Sequence, residues 1–133
     1  MTNDEVKRFE KIQGQFEGLY NEICLLAKKN PNDAVNKFKL SFINKLLIEA
    51  HKVLDENQRP FDDFKNFDDD QLPTNSDVTM ILEQYLNSFE QFRSDNIKHI
   101  QKYFGEKYIT QWVWIIDGEE SEIQTAPPKK IKR

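Results

Sequence analysis

The sequence predicts a mainly all-α fold: an antiparallel bundle of three long helices, a short helical turn rich in Phe and Asp, and a small C-terminal β-hairpin. Three observations predict this fold class. Apolar residues recur at spacings of three and four over long segments, proline and glycine separate those segments, and residues 108–125 are rich in aromatic and β-branched side chains. We therefore divide the chain into a helical bundle (1–105), a hairpin packed on the bundle (106–125) and a basic tail (126–133).

The composition is that of a single folded domain. The chain has 133 residues, of which 38% are hydrophobic and 12% aromatic, and a disordered chain is poor in such residues. The formal net charge is −4, whereas nucleic-acid-binding proteins are usually basic because they neutralise phosphates. We expect an acidic protein that does not bind nucleic acid, except through its basic tail.

Cysteine content and hydropathy indicate a cytoplasmic protein. Cys24 is the only cysteine, so no internal disulfide can form, as is usual in a reducing cytosol. The polar N-terminal residues do not form a secretory signal, and no apolar run approaches the roughly 20 residues that cross a bilayer. The sequence has no glycine-rich phosphate loop and no His-containing ligand motif, so we expect no membrane contact, no cofactor and no metal.

The first helix is predicted from Val6 to Lys29. Its apolar residues follow alternating steps of three and four and form a single seam: Phe9, Ile12, Phe16, Leu19, Ile23 and Leu26. Cys24 lies beside this seam, so we expect it to be a buried small residue rather than a nucleophile.

The second helix is predicted to begin at Asn30 and Pro31, because asparagine caps helices and proline suits the first helical position. It is predicted to end near Glu56. Apolar residues cover more than half of its circumference. We therefore expect this helix to be the central element, contacted from two sides.

The segment from Phe61 to Asp77 alternates phenylalanines with aspartates. Phe61, Phe64 and Phe67 are three residues apart, so a helical turn would direct all three inward. A calcium loop needs alternating oxygen ligands and a glycine, which this segment lacks, and a DNA mimic would spread carboxylates over a whole face. We interpret the segment as an apolar plug whose exposed aspartates form a docking edge for a basic partner: Asp62, Asp63, Asp68, Asp69 and Asp70.

The third helix is predicted from Thr74 to Phe104. Thr74 and Asp77 form a capping-box pattern, and Pro73 stops any earlier helix from continuing. Gly105 is a typical C-terminal stop.

A β-hairpin is predicted around Asp117-Gly118, a strong signal for a tight turn. This turn places Ile116 opposite Glu119 and Trp112 opposite Ile123. The first strand of the hairpin is apolar on both faces, whereas the second is mostly charged.

Covering both faces of that first strand requires more than the bundle of the same chain. Buried aromatic residues dominate many interfaces, so the expected anchors are Tyr108, Trp112, Trp114 and Ile116. The sequence therefore predicts a non-enzymatic protein–protein interaction protein, either a homo-oligomer or an accessory subunit of a larger complex. The expected partner is another protein or a second copy of the chain.

An alternative function rests on the segment from Phe92 to His99, in which Arg93 and His99 have five residues between them. This spacing resembles the Arg-x4–6-His signature of the HEPN ribonucleases and toxins, which are small all-helical domains. The resemblance covers eight residues, and Ser94 rather than a larger polar residue follows the arginine. It implies a dimeric ribonuclease that cleaves RNA without metal, with Arg93 and His99 as catalytic residues.

The C-terminal tail follows two prolines and carries four basic residues: Lys129, Lys130, Lys132 and Arg133. The pattern is typical of a nuclear-import signal or of a basic arm that binds phosphates. A third interpretation is that the tail docks on an acidic surface, such as residues 62–70 of the same or a neighbouring chain. A solubilising tail without a partner is the remaining alternative.

Overall fold

The computed structural model describes residues 1–129 and has a mixed α/β fold. The helices are α1 (Asn3–Lys29), α2 (Lys37–Val53) and α3 (Asn75–Asp95), with a short 3-10 helix at Asp69–Gln71. The strands β1 (Ile97–Phe104), β2 (Lys107–Ile116) and β3 (Glu119–Thr125) follow and form one antiparallel sheet with β2 in the centre. The predicted all-α class, with three long helices and only a small hairpin, is therefore wrong.

The error lies in the third helix, which ends at Asp95 rather than Phe104. Its start is as predicted, because Thr74 and Asp77 form the reciprocal capping box. Residues 97–104 instead pair along their whole length with β2. Gly105 has a φ of 61°, which suits the first position of a two-residue hairpin turn as well as a helix stop. Pairing with the aromatic and β-branched residues of β2 therefore decided the conformation of this segment.

Helix α1 is the central helix of the core, in place of the predicted α2. Phe9 contacts Phe89 of α3 at a ring distance of 5.3 Å and Trp114 of β2 at 5.4 Å. Phe16 stacks on Tyr85 of α3. Helix α1 therefore joins the other helices to the sheet, and its predicted seam forms much of the core.

Helix α2 begins later than predicted, at Lys37. Asn36 caps it by accepting a hydrogen bond from the backbone N–H of Lys39, whereas Pro31 lies in the preceding turn. The link between α1 and α2 is fastened to the start of α3 by an isolated bridge between Ala34 and Thr74. Helix α2 leaves several large apolar residues exposed, so it is not covered from two sides.

The segment of phenylalanines and aspartates packs as an irregular loop rather than as the predicted helical turn. Phe61, Phe64 and Phe67 are half-buried against the core, with neighbouring rings in edge contact. Asn44 of α2 fixes the loop, because its amide donates to the Phe67 carbonyl and accepts from the Phe67 N–H. The inward direction of the rings is as predicted, and all five aspartates of the docking edge are exposed.

The hairpin formed by β2 and β3 turns at Asp117 and Gly118, which both have positive φ. Ile116 pairs with Glu119 as predicted. The predicted partner of Trp112 is wrong, because an irregularity between Val113 and Ile115 shifts the register and Trp112 pairs with Thr125.

Candidate protein interface

The structure places the two tryptophans in different environments. Trp114 is fully buried, and its indole N–H donates to Glu10 Oε1 over 2.6 Å. Trp112 is half-buried and stacks on His99 at a ring distance of 5.0 Å. Ile116 is half-buried against the core. Trp114 therefore stabilises the sheet on α1, and Trp112 keeps only part of its surface for a partner.

The hairpin formed by β1 and β2 extends beyond the rest of the sheet. Strand β3 ends at Thr125, opposite Trp112, whereas β1 and β2 continue to the turn at Gly105. We call residues 101–110 the hairpin arm. Every residue of the hairpin arm is exposed, so neither of its faces is covered by the rest of residues 1–129.

The hairpin arm carries large apolar side chains on both faces. Tyr103 and Tyr108 are 60% and 70% exposed, lie directly opposite each other and have ring centroids 4.9 Å apart. Phe104 and Ile109 are also exposed, and register places them on the opposite face because side chains alternate along a strand. Of the sequence-predicted anchors, Tyr108 is the one that lies on the hairpin arm.

The hairpin arm also offers unpaired backbone groups. The N–H of Ile115 donates to Asn96 O. Along β2, every second residue directs its backbone N–H and C=O groups toward β1, and the residues between them direct these groups to the other side. Ile115 belongs to the first set, so the backbone groups of Tyr108 and Thr110 point away from β1. Strand β3 does not reach those two residues. Strand β1 is an edge strand along its whole length. Such edges can pair with a strand of another chain.

The charge of the hairpin arm is opposite to that of the protein. Lys102 and Lys107 outnumber Glu106 within residues 101–110, whereas the whole chain has a net charge of −4. The five exposed aspartates at 62, 63, 68, 69 and 70 form a complementary surface elsewhere on the same molecule. Lys98, at the base of the hairpin, forms an ion pair with Glu120 of β3.

A second exposed apolar surface lies on α2. Phe38 and Phe42 are 72% and 45% exposed and pack edge to face, and Ile48 is also exposed. The Lys45 ammonium lies 5.2 Å from the centre of the Phe42 ring and partly screens it from solvent. We call Phe38, Phe42 and Ile48 the α2 patch. Unlike the hairpin arm, this patch lies on a helix whose opposite side is packed on the core.

Arg93 and His99 do not share the helix on which the ribonuclease alternative was built. Arg93 is 4% exposed and its guanidinium contacts Glu90 of the same helix and the C-terminal segment. His99 is exposed on β1 and packs on Trp112. The buried guanidinium is therefore occupied by structural contacts, and no arrangement of these two side chains around an RNA phosphate is present among the described residues.

Glu90 and Arg93 form a buried ion pair with the Arg93 Nη2 atom 2.5 Å from Glu90 Oε1. Burial raises the pKa of Glu90, but hydrogen bonds from Arg93, from the Lys129 backbone N–H and from Gln13 outweigh it, so the pKa is lowered. Glu90 is therefore ionised at neutral pH.

His51 and Tyr85 form a part-buried polar pair, with His51 Nε2 2.6 Å from the Tyr85 hydroxyl. Burial, followed by the charges of Arg59 and Lys65, lowers the pKa of His51. Burial raises the pKa of Tyr85 to about 12. Tyr85 therefore stays protonated at neutral pH, and its hydroxyl shares a hydrogen bond with the His51 imidazole. The contacts of this pair within the described residues support a structural role.

Residues 1–129 contain neither a cluster of metal-ligating side chains nor a membrane-spanning helix. Within this range, no group of three or more His, Cys, Asp or Glu side chains is arranged to hold a metal ion. No helix of the described chain is both long enough and apolar enough to span a bilayer.

Comparison of the chain with protein-family models, curated proteins and solved structures found no match.

Sequence reasoning missed most of the hairpin arm. The predicted third helix includes Tyr103 and Phe104, so it does not place Tyr103 opposite Tyr108 or Phe104 opposite Lys107. A signal was present, since Gly105 separates two segments rich in aromatic and β-branched residues.

Proposed function

We propose that this chain is a non-enzymatic protein–protein interaction protein that assembles through the hairpin arm, as a homo-oligomer or as an accessory subunit. The observation that carries the proposal is the exposure of residues 101–110 on both faces, including four large apolar side chains. Isolated exposed apolar residues are ordinary, but a contiguous cluster on a projecting element is typical of a contact surface.

The two-sided exposure favours a groove as the complementary surface. A flat partner would cover the face of Tyr103 and Tyr108 and leave Phe104 and Ile109 in water. Insertion into a groove covers both faces and brings the unpaired N–H and C=O groups of the arm next to another backbone. Burial of each large apolar side chain stabilises such a contact by roughly 1.5–3 kcal/mol before the entropy of association is subtracted.

A second copy of the chain is the partner that the charges favour first. The arm is basic, and the same molecule carries the exposed aspartates of residues 62–70. Contact between these two different surfaces would join copies head to tail, which gives a closed ring or an open filament. A different acidic protein with a groove fits the same chemistry, and purification of the native complex separates the two cases.

The test is the solution mass of the full-length chain, measured by light scattering over a range of concentrations. We expect oligomers or a co-purifying protein for the wild type, and loss of either when Tyr103→Ser is combined with Tyr108→Ser. The matched control is Phe38→Ser with Phe42→Ser, which removes two exposed aromatic rings from the α2 patch. A wild type that is monomeric at all concentrations and retains no partner contradicts the proposal, as does an oligomer that only the control variant disrupts.

A further inference from the structure

A groove between α1 and α3 holds the C-terminal segment of the chain, from Thr125 to Lys129. Arg93 of α3 donates to Thr125 Oγ1 over 2.9 Å, to the Ala126 carbonyl over 2.5 Å and to the Pro127 carbonyl over 2.8 Å. These bonds recognise an extended backbone that leads out of β3. The segment is thus bound along its length rather than only following the last strand.

Acidic residues hold the end of this segment. Glu90 Oε1 accepts the Lys129 backbone N–H over 2.6 Å, and Gln13 of α1 donates to the other Glu90 oxygen over 3.1 Å. The Lys129 ammonium contacts Glu17 Oε1 of α1 over 3.1 Å. Both walls of the groove therefore contribute a carboxylate to one lysine.

The groove continues beyond Lys129 as a cavity of about 290 Å³. Glu17 and Glu83 lie on its two walls, with Tyr20 and Leu86 beside them. Glu83 precedes Glu90 by two helical turns, which is about 10 Å along α3. Burial raises the pKa of Tyr20, and the negative charge of Glu83 raises it further. The Glu83 carboxylate is therefore close enough to Tyr20 for the two side chains to interact across the cavity that both line.

We propose that this acidic groove is a binding site for a basic, proline-led peptide segment, and that residues 130–133 of the same chain are its ligand. Lys130, Lys132 and Arg133 lie outside the described residues, but Lys129, which precedes them, is held by Glu90 and lines the cavity. An extended chain advances about 3.3 Å per residue, so three residues cover the distance from Glu90 to Glu83. This length brings Lys132 within reach of Glu83.

Charge and shape favour this ligand over the alternatives. The tail carries three cations and one isoleucine after Lys129, and the cavity offers carboxylates together with the apolar surfaces of Tyr20 and Leu86. The aspartates of residues 62–70 are also acidic, but the bonds to Thr125, Pro127 and Lys129 tie the tail to the α1/α3 groove. A tail bound there is withheld from nuclear-import receptors and from nucleic-acid phosphates.

The test is carbodiimide cross-linking of the full-length protein, which joins a lysine amine to a carboxylate only when the two are in contact. A mixture of unlabelled and ¹⁵N-labelled protein separates links within a chain from links between chains. We expect intrachain links from Lys130 or Lys132 to Glu17 or Glu83, identified by mass spectrometry. The variant that combines Glu17→Gln with Glu83→Gln confirms which carboxylates are linked, because glutamine does not react with the carbodiimide. The matched control, Asp69→Asn with Asp70→Asn, should leave the links unchanged.

Trypsin cleavage within the tail supplies a second measurement that does not depend on cross-linking chemistry. Cleavage after Lys130 and Lys132 should be roughly fivefold or more faster in the Glu17→Gln, Glu83→Gln variant than in the wild type, because bound residues are protected. Equal cleavage rates would overturn the proposal. Links that run mainly to residues 62–70, or mainly between chains, would also overturn it.

Discussion

Replacement of Arg93 by alanine tests the most heavily bonded side chain of the structure. The guanidinium donates two hydrogen bonds to Glu90 and three to residues 125–127, and the Arg93 side chain is 5% exposed. Arg93→Ala removes all five bonds and leaves the Glu90 carboxylate buried, with Gln13 and the Lys129 N–H as its remaining partners among the described residues. Removing one member of a buried ion pair costs about 3–5 kcal/mol, because the remaining charge is poorly compensated.

The measurement is the free energy of unfolding from urea denaturation at neutral pH, followed by tryptophan fluorescence. The control is Arg8→Ala, because Arg8 pairs with Glu49 at the surface, where each partner keeps a third or more of its side chain exposed. We expect the control to lose much less stability than Arg93→Ala, because an exposed ion pair is screened by solvent. A loss for Arg93→Ala that matches the control would refute the assignment of Arg93 as a structural residue of the α1/α3 groove.

Three further predictions concern side chains that lie wholly or partly in the core. The pKa of Glu90 lies below its ordinary value of 4.5, so the stability that its carboxylate contributes is complete above about pH 4.5 and is lost as the pH falls through the lowered value. Glu90→Gln should therefore weaken the loss of stability at acidic pH, measured by urea titration. An unchanged loss contradicts this prediction. The pKa of His51 lies below 6.5, so the folded state favours the neutral imidazole. The contribution of His51 to stability should be complete above pH 6.5 and should fall on acidification below that value. His51→Gln should remove this pH dependence from thermal unfolding curves. Trp114→Ala should lower the free energy of unfolding by about 3–5 kcal/mol, because Trp114 is fully buried. Trp112→Ala should lower it by clearly less, because Trp112 is half-buried. Equal losses, measured by circular dichroism during thermal unfolding, would show that the two rings are equally buried.

The sequence predicts the local signals of this fold better than the pairing of its strands. The capping box of Thr74 and Asp77 and the turn at Asp117-Gly118 both form, because each depends on residues close together in the chain. The segment of residues 97–104 has apolar residues compatible with either conformation, and Gly105 terminates a helix as readily as it turns a hairpin. Its strand conformation depends on hydrogen bonds to β2, which a helical reading of periodicity does not consider.

The same limit applies to the candidate interface. Tyr108 was identified from its place in an aromatic segment, and the exposure of its side chain agrees with that role. Trp114 belongs to the same segment, yet it is fully buried, with Phe9 of α1 against its ring and Glu10 of α1 binding its indole N–H. Strand alternation shows that two residues face the same way, but which face meets a helix is decided by distant parts of the chain. Residue type alone therefore cannot separate a core aromatic residue from an interface one.

The role of Arg93 was the least accessible to sequence reasoning. Its partners are Glu90, one helical turn away, and a segment more than thirty residues downstream. The spacing between Arg93 and His99 suggested a catalytic pair because both were assigned to one helix. The pairing of β1 with β2 places His99 on the sheet instead.

Hydrogen–deuterium exchange of the hairpin arm tests the assembly proposal most directly. The backbone N–H groups of Tyr108 and Thr110 point away from β1 and meet no strand within residues 1–129, so they should exchange rapidly in dilute protein. The account predicts that exchange across residues 101–110 slows when the protein is concentrated or held in its native complex, while exchange on the exposed face of α2 does not. Rapid exchange of the arm under both conditions, in a sample whose mass shows assembly, would contradict it.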